Sequence, residues 1–215
     1  MDAQDARLVD ALGAHNSSVR LKAALAAGTR GDARFVDALV ARCAVEPDFF
    51  VRDMLTWAIT RLPAAVTVPM VCAELRSDAA QARSQALHTL SKIGDRTAWP
   101  AIGVELLRDA DDGVARAAWR AAVVLVPEEA KGALAAELGR QLGRGGREVR
   151  LSLSRALVAL GDAVEPVLRA AAGHSEPGVR AHAEATERLL LDPDAGFAVD
   201  EARRVFALGP ERAGE

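Results

Sequence analysis

A chain of 215 residues is long enough for one large domain or one continuous repeat array, and its formal net charge is −3. Half of its residues are hydrophobic, yet only 4% are aromatic and tyrosine is absent, so small aliphatic side chains must fill any core. A pI of about 5.9 excludes the globally basic surface of many nucleic-acid binders, although a local basic stripe can exist within such a total.

In chain order, the first stretch, MDAQDARLVD, is charged and carries no apolar signal core. It predicts a short helix over about 5–12. A dipeptide then recurs: Val19-Arg20, Val51-Arg52, Ala82-Arg83, Ala115-Arg116, Val149-Arg150 and Val179-Arg180. The arginines are spaced by 32, 31, 33, 34 and 30 residues. Four positions after the small apolar residue stand Ala23, Leu55, Ala86, Trp119, Leu153 and Ala183. Eight positions after it stand Ala27, Ile59, Leu90, Val123 and Leu157, with Glu187 breaking the rule in the last repeat. Residues four and eight apart lie along one helical stripe, so each dipeptide opens a helix with one buried face.

Asn16, Asp48, Asp112 and Glu176 precede these helices at the capping distance, and Gly145-Gly146 replaces the cap in the fifth repeat. Each helix follows another, over about 34–45, 66–75, 98–107, 128–142 and 163–172. Pro69, Pro100 and Pro166 fall near the starts of three of them, where proline is tolerated in a first turn and bends the helix deeper in. Connections alternate between Gly-Asp (Gly31-Asp32, Gly94-Asp95, Gly161-Asp162) and Leu62-Pro63 or Val126-Pro127. This alternation suggests a duplicated unit of two repeats. Residues 196–215 contain one more apolar stripe, Ala198, Ala202, Val205 and Phe206, expected as a terminal helix.

A helix pair with proline in its first helix, then D-x-x-V-R-x-x-A-x-x-A-L and a Gly-Asp turn, resembles a HEAT repeat, in the short form found in bilin lyases. The resemblance spans about 8–191. The Trp…Tyr…Pro pattern of tetratricopeptide repeats and the TPLH of ankyrin repeats are absent. The resemblance implies an all-α, right-handed α-solenoid (superhelix) of about six HEAT-like hairpins. The array is expected over 1–195, with a C-terminal capping helix and short tail over 196–215. It also implies a non-catalytic protein-interaction scaffold or adaptor, possessing no cofactor, whose second helices line a groove for a protein partner.

Two other readings stand beside it. HEAT-like alkylpurine DNA glycosylases use Trp and Asp in a basic groove, and Asp53 and Trp57 lie one helical turn apart; the acidic pI and three lysines oppose that reading and nucleic-acid binding generally. A small-molecule-sensing regulatory module is the other. The His-Glu pairs of HEAT-like deoxyhypusine hydroxylase are missing, since none of His15, His88, His174 and His182 precedes Glu. The run Asp109–Asp112 has no further ligand spacing and reads as a solvated loop, so no metal is expected.

Two groups are candidates for the partner surface. One is the arginine series, of which Arg52, Arg83 and Arg116 belong to the middle repeats; either it tracks an anion or it pairs with neighbouring acids such as Asp48, Asp112 and Glu176. The other is the second-helix surface bearing Asp53, Trp57, His88 and Arg120, where Trp57 and His88 share one repeat offset. Trp57 either anchors a partner or plugs a gap between alanine-rich helices. Cys43 and Cys72 form no CxxC pair and are expected as small buried thiols. The longest apolar runs, such as Ala121–Val126, are too short to cross a bilayer, and a cytoplasmic protein is expected.

Overall fold

The computed structural model describes residues 3–192. Among them all regular structure is helical, as six consecutive hairpins. These are α1 (Ala3–Leu12) with α2 (Ser17–Arg30), α3 (Val36–Val45) with α4 (Phe49–Thr60), and α5 (Ala64–Ala73) with α6 (Ala80–Ile93). Then come α7 (Val104–Leu107) with α8 (Asp112–Leu125), α9 (Lys131–Gly139) with α10 (Arg147–Val158), and α11 (Glu165–Ala172) with α12 (Pro177–Leu191). The expected terminal helix over 196–215 lies outside the described residues.

Local chemistry sets the ends of these helices. Asn16 accepts from the Ser18 amide at 2.8 Å, Asp48 from the amides of Phe50 and Val51, and Asp111 from that of Val114. Each satisfies donors that a helix leaves unpaired at its first turn. At the other end, Gly31 and Gly94 adopt φ of 65° and 71° and return their amides to Ala27 and Leu90. That left-handed geometry is cheap only for glycine. The first helix of several hairpins begins as a tight 3-10 turn, at Ala33–Phe35, Arg96–Ala101, Glu128–Ala130 and Gly161–Val164. In the fourth hairpin Pro100 lies in such a turn, and the expected helix over 98–107 shrinks to Val104–Leu107.

The chain divides into two compact units, Met1–Leu134 and Ala135–Glu215. In the first, hairpins pile side by side in two layers. The second helices α2, α4, α6 and α8 form one layer, and the first helices with their 3-10 turns form the other. The predicted stripe is buried: Val51, Ala82, Ala115, Ala23, Leu55, Ala86, Trp119, Ala27, Ile59 and Leu90 all face inward. Val19 departs from it and is 41% exposed. Trp119 is fully enclosed, its indole N–H donating to the Leu107 carbonyl at 2.9 Å.

In the second unit α12 packs on α10 and α11 around a buried polar chain. The Gly143 amide donates to His182 Nδ1 at 3.0 Å, which leaves the proton on Nε2. Nε2 then faces the Arg150 carbonyl at 3.0 Å and Ser154 Oγ at 3.1 Å. Ser154 Oγ meets Thr186 Oγ1 at 2.7 Å, and Thr186 donates to the His182 carbonyl. Burial pushes the His182 pKa down; the bond to the Arg150 carbonyl opposes this, and the Arg150 charge adds to it.

Candidate partner-binding face

The repeat arginine takes the same position in four hairpins. Its Nη1 donates to the carbonyls six and five residues upstream, in the loop that precedes its own helix. Arg20 bonds Ala14 and His15 at 2.9 and 2.7 Å, and Arg52 bonds Glu46 and Pro47, both at 2.8 Å. Arg83 bonds Ser77 and Asp78 at 2.9 and 3.1 Å, and Arg180 bonds His174 and Ser175 at 2.6 and 2.8 Å. Arg150 clamps its glycine loop differently, through Gly145 and Gly143. These five arginines are therefore loop clamps that satisfy carbonyls no helix pairs.

Two of the clamps also bind across to the next hairpin, each to an acid 26 residues on. Arg20 grips Glu46 with Nε and Nη2 at 2.7 and 2.6 Å, and Arg83 grips Asp109 at 2.9 and 3.2 Å. The sequence pointed to acids as partners, but to Asp48, Asp112 and Glu176, expected as caps; Asp111, not Asp112, caps α8, and the Glu176 side chain makes no capping bond. Glu46 is fully buried and also accepts from Arg42 and from the Asp48 amide. Burial alone would raise its pKa; the bonds from Arg20, Arg42 and the Asp48 amide outweigh it and bring the pKa to about 2.

Of the seven sequence candidates, Arg52 and Arg83 thus direct their guanidinium groups at loops, and Arg52 also lies over the Phe49 ring, 6.0 Å from its centroid. The others sit along the second-helix layer of the first unit: Asp53 and Trp57 on α4, His88 on α6, Arg116 and Arg120 on α8. Trp57 is 38% exposed, and its ring covers α2 at Gly28, where an added Cβ would stand 2.5 Å from Trp57 Cζ3. The indole both fills a gap and shows a face to solvent.

His88 is half-buried, and burial lowers its pKa. Lys92, one turn along α6, and Arg120, across on α8, lower it further, while Asp53 on α4 opposes them. Arg120 in turn has its pKa lowered by burial and by Arg116. These mutual effects place Asp53, His88, Lys92, Arg116 and Arg120 within one electrostatic neighbourhood spanning three helices. Lys92 was not among the candidates; its spacing of four from His88 was the available signal.

Phe49 and Phe50 were also missed. They open α4, are 66% and 72% exposed, and meet edge to face at 5.7 Å. At the same repeat offsets stand Ser17-Ser18, Ala80-Gln81, Gly113-Val114, Arg147-Glu148 and Pro177-Gly178, so aligning those offsets would have singled them out. Val45, at the end of α3, is exposed as well.

Among the described residues no cluster of three metal-ligating side chains occurs, and no helix is long and apolar enough to cross a membrane. Cys43 is buried and its thiol is pushed up to about 12, chiefly by burial; Cys72 is half-buried, and both are free.

No family model matches the chain, and no curated protein matches it. Solved structures do. Two are engineered proteins: one is 20% identical over 86% of this chain and 95% of its own, with a TM-score of 0.47. The other is 18% identical over 88% of this chain and 99% of its own, with a TM-score of 0.49. A third is the complex of CpcE and CpcF of phycocyanin lyase from Nostoc sp. PCC7120, 20% identical over 85% of this chain and 75% of that one, with a TM-score of 0.49. This last match corrects one expectation. The chain was expected not to be an enzyme; a structure it resembles is a lyase, so that expectation does not stand.

Proposed function

We propose that the chain is a helical-repeat protein that binds a protein partner across the second-helix face of its first unit. The observation that carries this reading is Trp57. It stays 38% exposed beside Leu25, which holds the same offset on α2 and is also exposed, and it is next in line to the charged group of Asp53, His88 and Arg120. An aromatic ring over a rigid, alanine-rich floor, rimmed by charge, is the composition of an interface anchor. The exposed Phe49 and Phe50 extend the apolar area at the loop edge of the same helix.

A photo-crosslinking side chain at position 57 is expected to capture a discrete partner from cell extract. The same group at Val66, on the first-helix layer, is expected not to. With that partner purified, Trp57→Ala should weaken binding about tenfold or more, the loss of ~1.4 kcal/mol or above expected for a central aromatic anchor. Trp57→Phe, which keeps most of the cover over Gly28, separates packing from contact. Equal affinity of wild type and Trp57→Ala, with both folded, would refute the reading.

A further inference from the structure

The group around His88 has an unusual balance of charge. His88 and Lys92 lie on α6 and Arg116 and Arg120 on α8, helices that pack closely. Among the described residues neither Lys92 nor Arg120 forms an ion pair, and both are exposed. From α4, Asp53 is the acid that acts on His88; from α6, Lys92 acts on it; from α8, Arg120. Lys92 and Arg120 both act on His88 from closely packed helices, and an incoming anion relieves that unfavourable field.

Resting on the partner reading above, we propose that the segment received here is an acidic stretch of polypeptide. Its carboxylates sit between Lys92 and Arg120, and its binding is coupled to uptake of a proton by His88. The proton comes from solvent and converts the neutral imidazole to imidazolium. With the ring half-buried and flanked by Lys92 and Arg120, the free protein disfavours that charge. A bound carboxylate reverses the local field and favours it. By linkage, whatever raises proton affinity on binding also raises ligand affinity as pH falls.

The chemistry favours polypeptide over nucleic acid. Asp53 stands within the cluster and would repel a continuous phosphate backbone, and the chain has three lysines in all. A peptide that alternates acidic residues with apolar or basic ones satisfies the cations, Asp53 and the Trp57 face together.

The test uses the full chain and a short peptide alternating glutamate with alanine as probe, followed by calorimetry and by NMR of the His88 ring. Saturable binding is expected, tightening several-fold between about pH 8 and about pH 6, with proton uptake visible as a dependence on buffer ionisation enthalpy. Arg120→Gln and Lys92→Gln should each weaken it about tenfold, the scale of losing one charge-assisted contact. His88→Gln should retain binding and lose its pH dependence. Both cations are exposed, so unchanged thermal unfolding is expected of these variants.

Peptide binding indifferent to Arg120→Gln and Lys92→Gln, or indifferent to pH, overturns the proposal. So does inorganic phosphate or a DNA duplex binding as well as the peptide. The two readings fail separately. A partner crosslinked at position 57 whose affinity ignores Lys92 and Arg120 leaves the partner reading and sinks the acidic segment. Peptide binding at His88 with no partner captured at position 57 does the reverse.

Discussion

Single side chains fix how hairpins join, and Glu46 shows it most clearly. Its carboxylate is enclosed, yet it takes bonds from Arg20, Arg42 and the Asp48 amide, while its own carbonyl accepts from Arg52 and from Gln81 on the third hairpin. Glu46→Gln keeps the shape and leaves Arg20 charged and under-compensated, so a loss of about 3 kcal/mol is expected in denaturant unfolding. His182 supplies a second prediction. Its folded pKa lies below its ordinary value of 6.5, so the unfolded chain takes up the proton first as pH falls. Stability attributable to His182 is complete above that value and is lost below it. Unfolding measured from about pH 8 to about pH 5 should show wild type weakening through this range more than His182→Gln. The variant itself should be weaker at the alkaline end by about 1–3 kcal/mol, since the Gly143 amide loses its acceptor. Equal slopes would refute the assignment. The acid partners were half legible. The arginines were visible by their spacing, and Glu46 and Asp109 share one offset, 26 residues after their arginine and two before the helix cap, yet the expectation fell on the caps themselves. His182 showed no signal, because its partners, the Gly143 amide and the Arg150 carbonyl, are backbone groups.

At the scale of elements, the second helices were readable and the first helices less so. Offsets of zero, four and eight from each dipeptide name the buried face because one helix must bury it against the next, and the structure buries nearly all of them. The first helices carry prolines and 3-10 turns that interrupt a period without erasing it. Pro100 made the expected helix over 98–107 a turn and a single short helix, whereas Pro69 lies inside α5. The candidate face was half legible: a shared offset joined Trp57 to His88, while the choice between anchor and plug depended on Gly28 of α2, 29 residues away. That glycine lets α2 and α4 approach closely. A methyl group there would meet Trp57 Cζ3 at 2.5 Å and the Ala58 Cα at 2.7 Å. The indole can swing outward, but the backbone cannot, so Gly28→Ala should cost about 1–3 kcal/mol and lower the melting temperature. It should also alter Trp57 fluorescence. An unchanged melting point would mean the helices part freely and that α2 does not set the position of the indole.

In the first unit as a whole, the second-helix layer is not uniform. The α2–α4 and α6–α8 contacts are extensive, whereas at the middle junction α4 meets α6 less closely and α3 packs on α5 and α6 instead. That middle junction holds a hydrogen bond from Gln85 to Thr56 at 2.9 Å, and a small cleft lined by Cys43, Ile59, Ala82, Gln85, Ala86 and Thr89. A polar contact and a small cleft interrupt the aliphatic packing there, and less dispersion and less apolar burial are expected to hold it shut. The turns of the sequence follow the same period, Gly-Asp at Gly31 and Gly94 and Leu-Pro at Leu62, as a duplicated pair of repeats would leave them. A stack of hairpins gains its stability from each interface in turn, so the weakest interface is where it opens first. Native-state hydrogen exchange should therefore resolve two cooperative blocks in this unit, α1–α4 and α5–α8. Glu46→Gln should lower protection in α1–α4 by more than in α5–α8, because two of its three donors, Arg20 and Arg42, lie in the first block and the third is its own loop. Gln85→Leu, which puts a methyl-bearing side chain in the cleft, should draw the two blocks towards a single opening. Uniform loss across all four hairpins in Glu46→Gln would show that the α4–α6 junction is as strong as its neighbours, and the duplicated pair would then have no energetic counterpart.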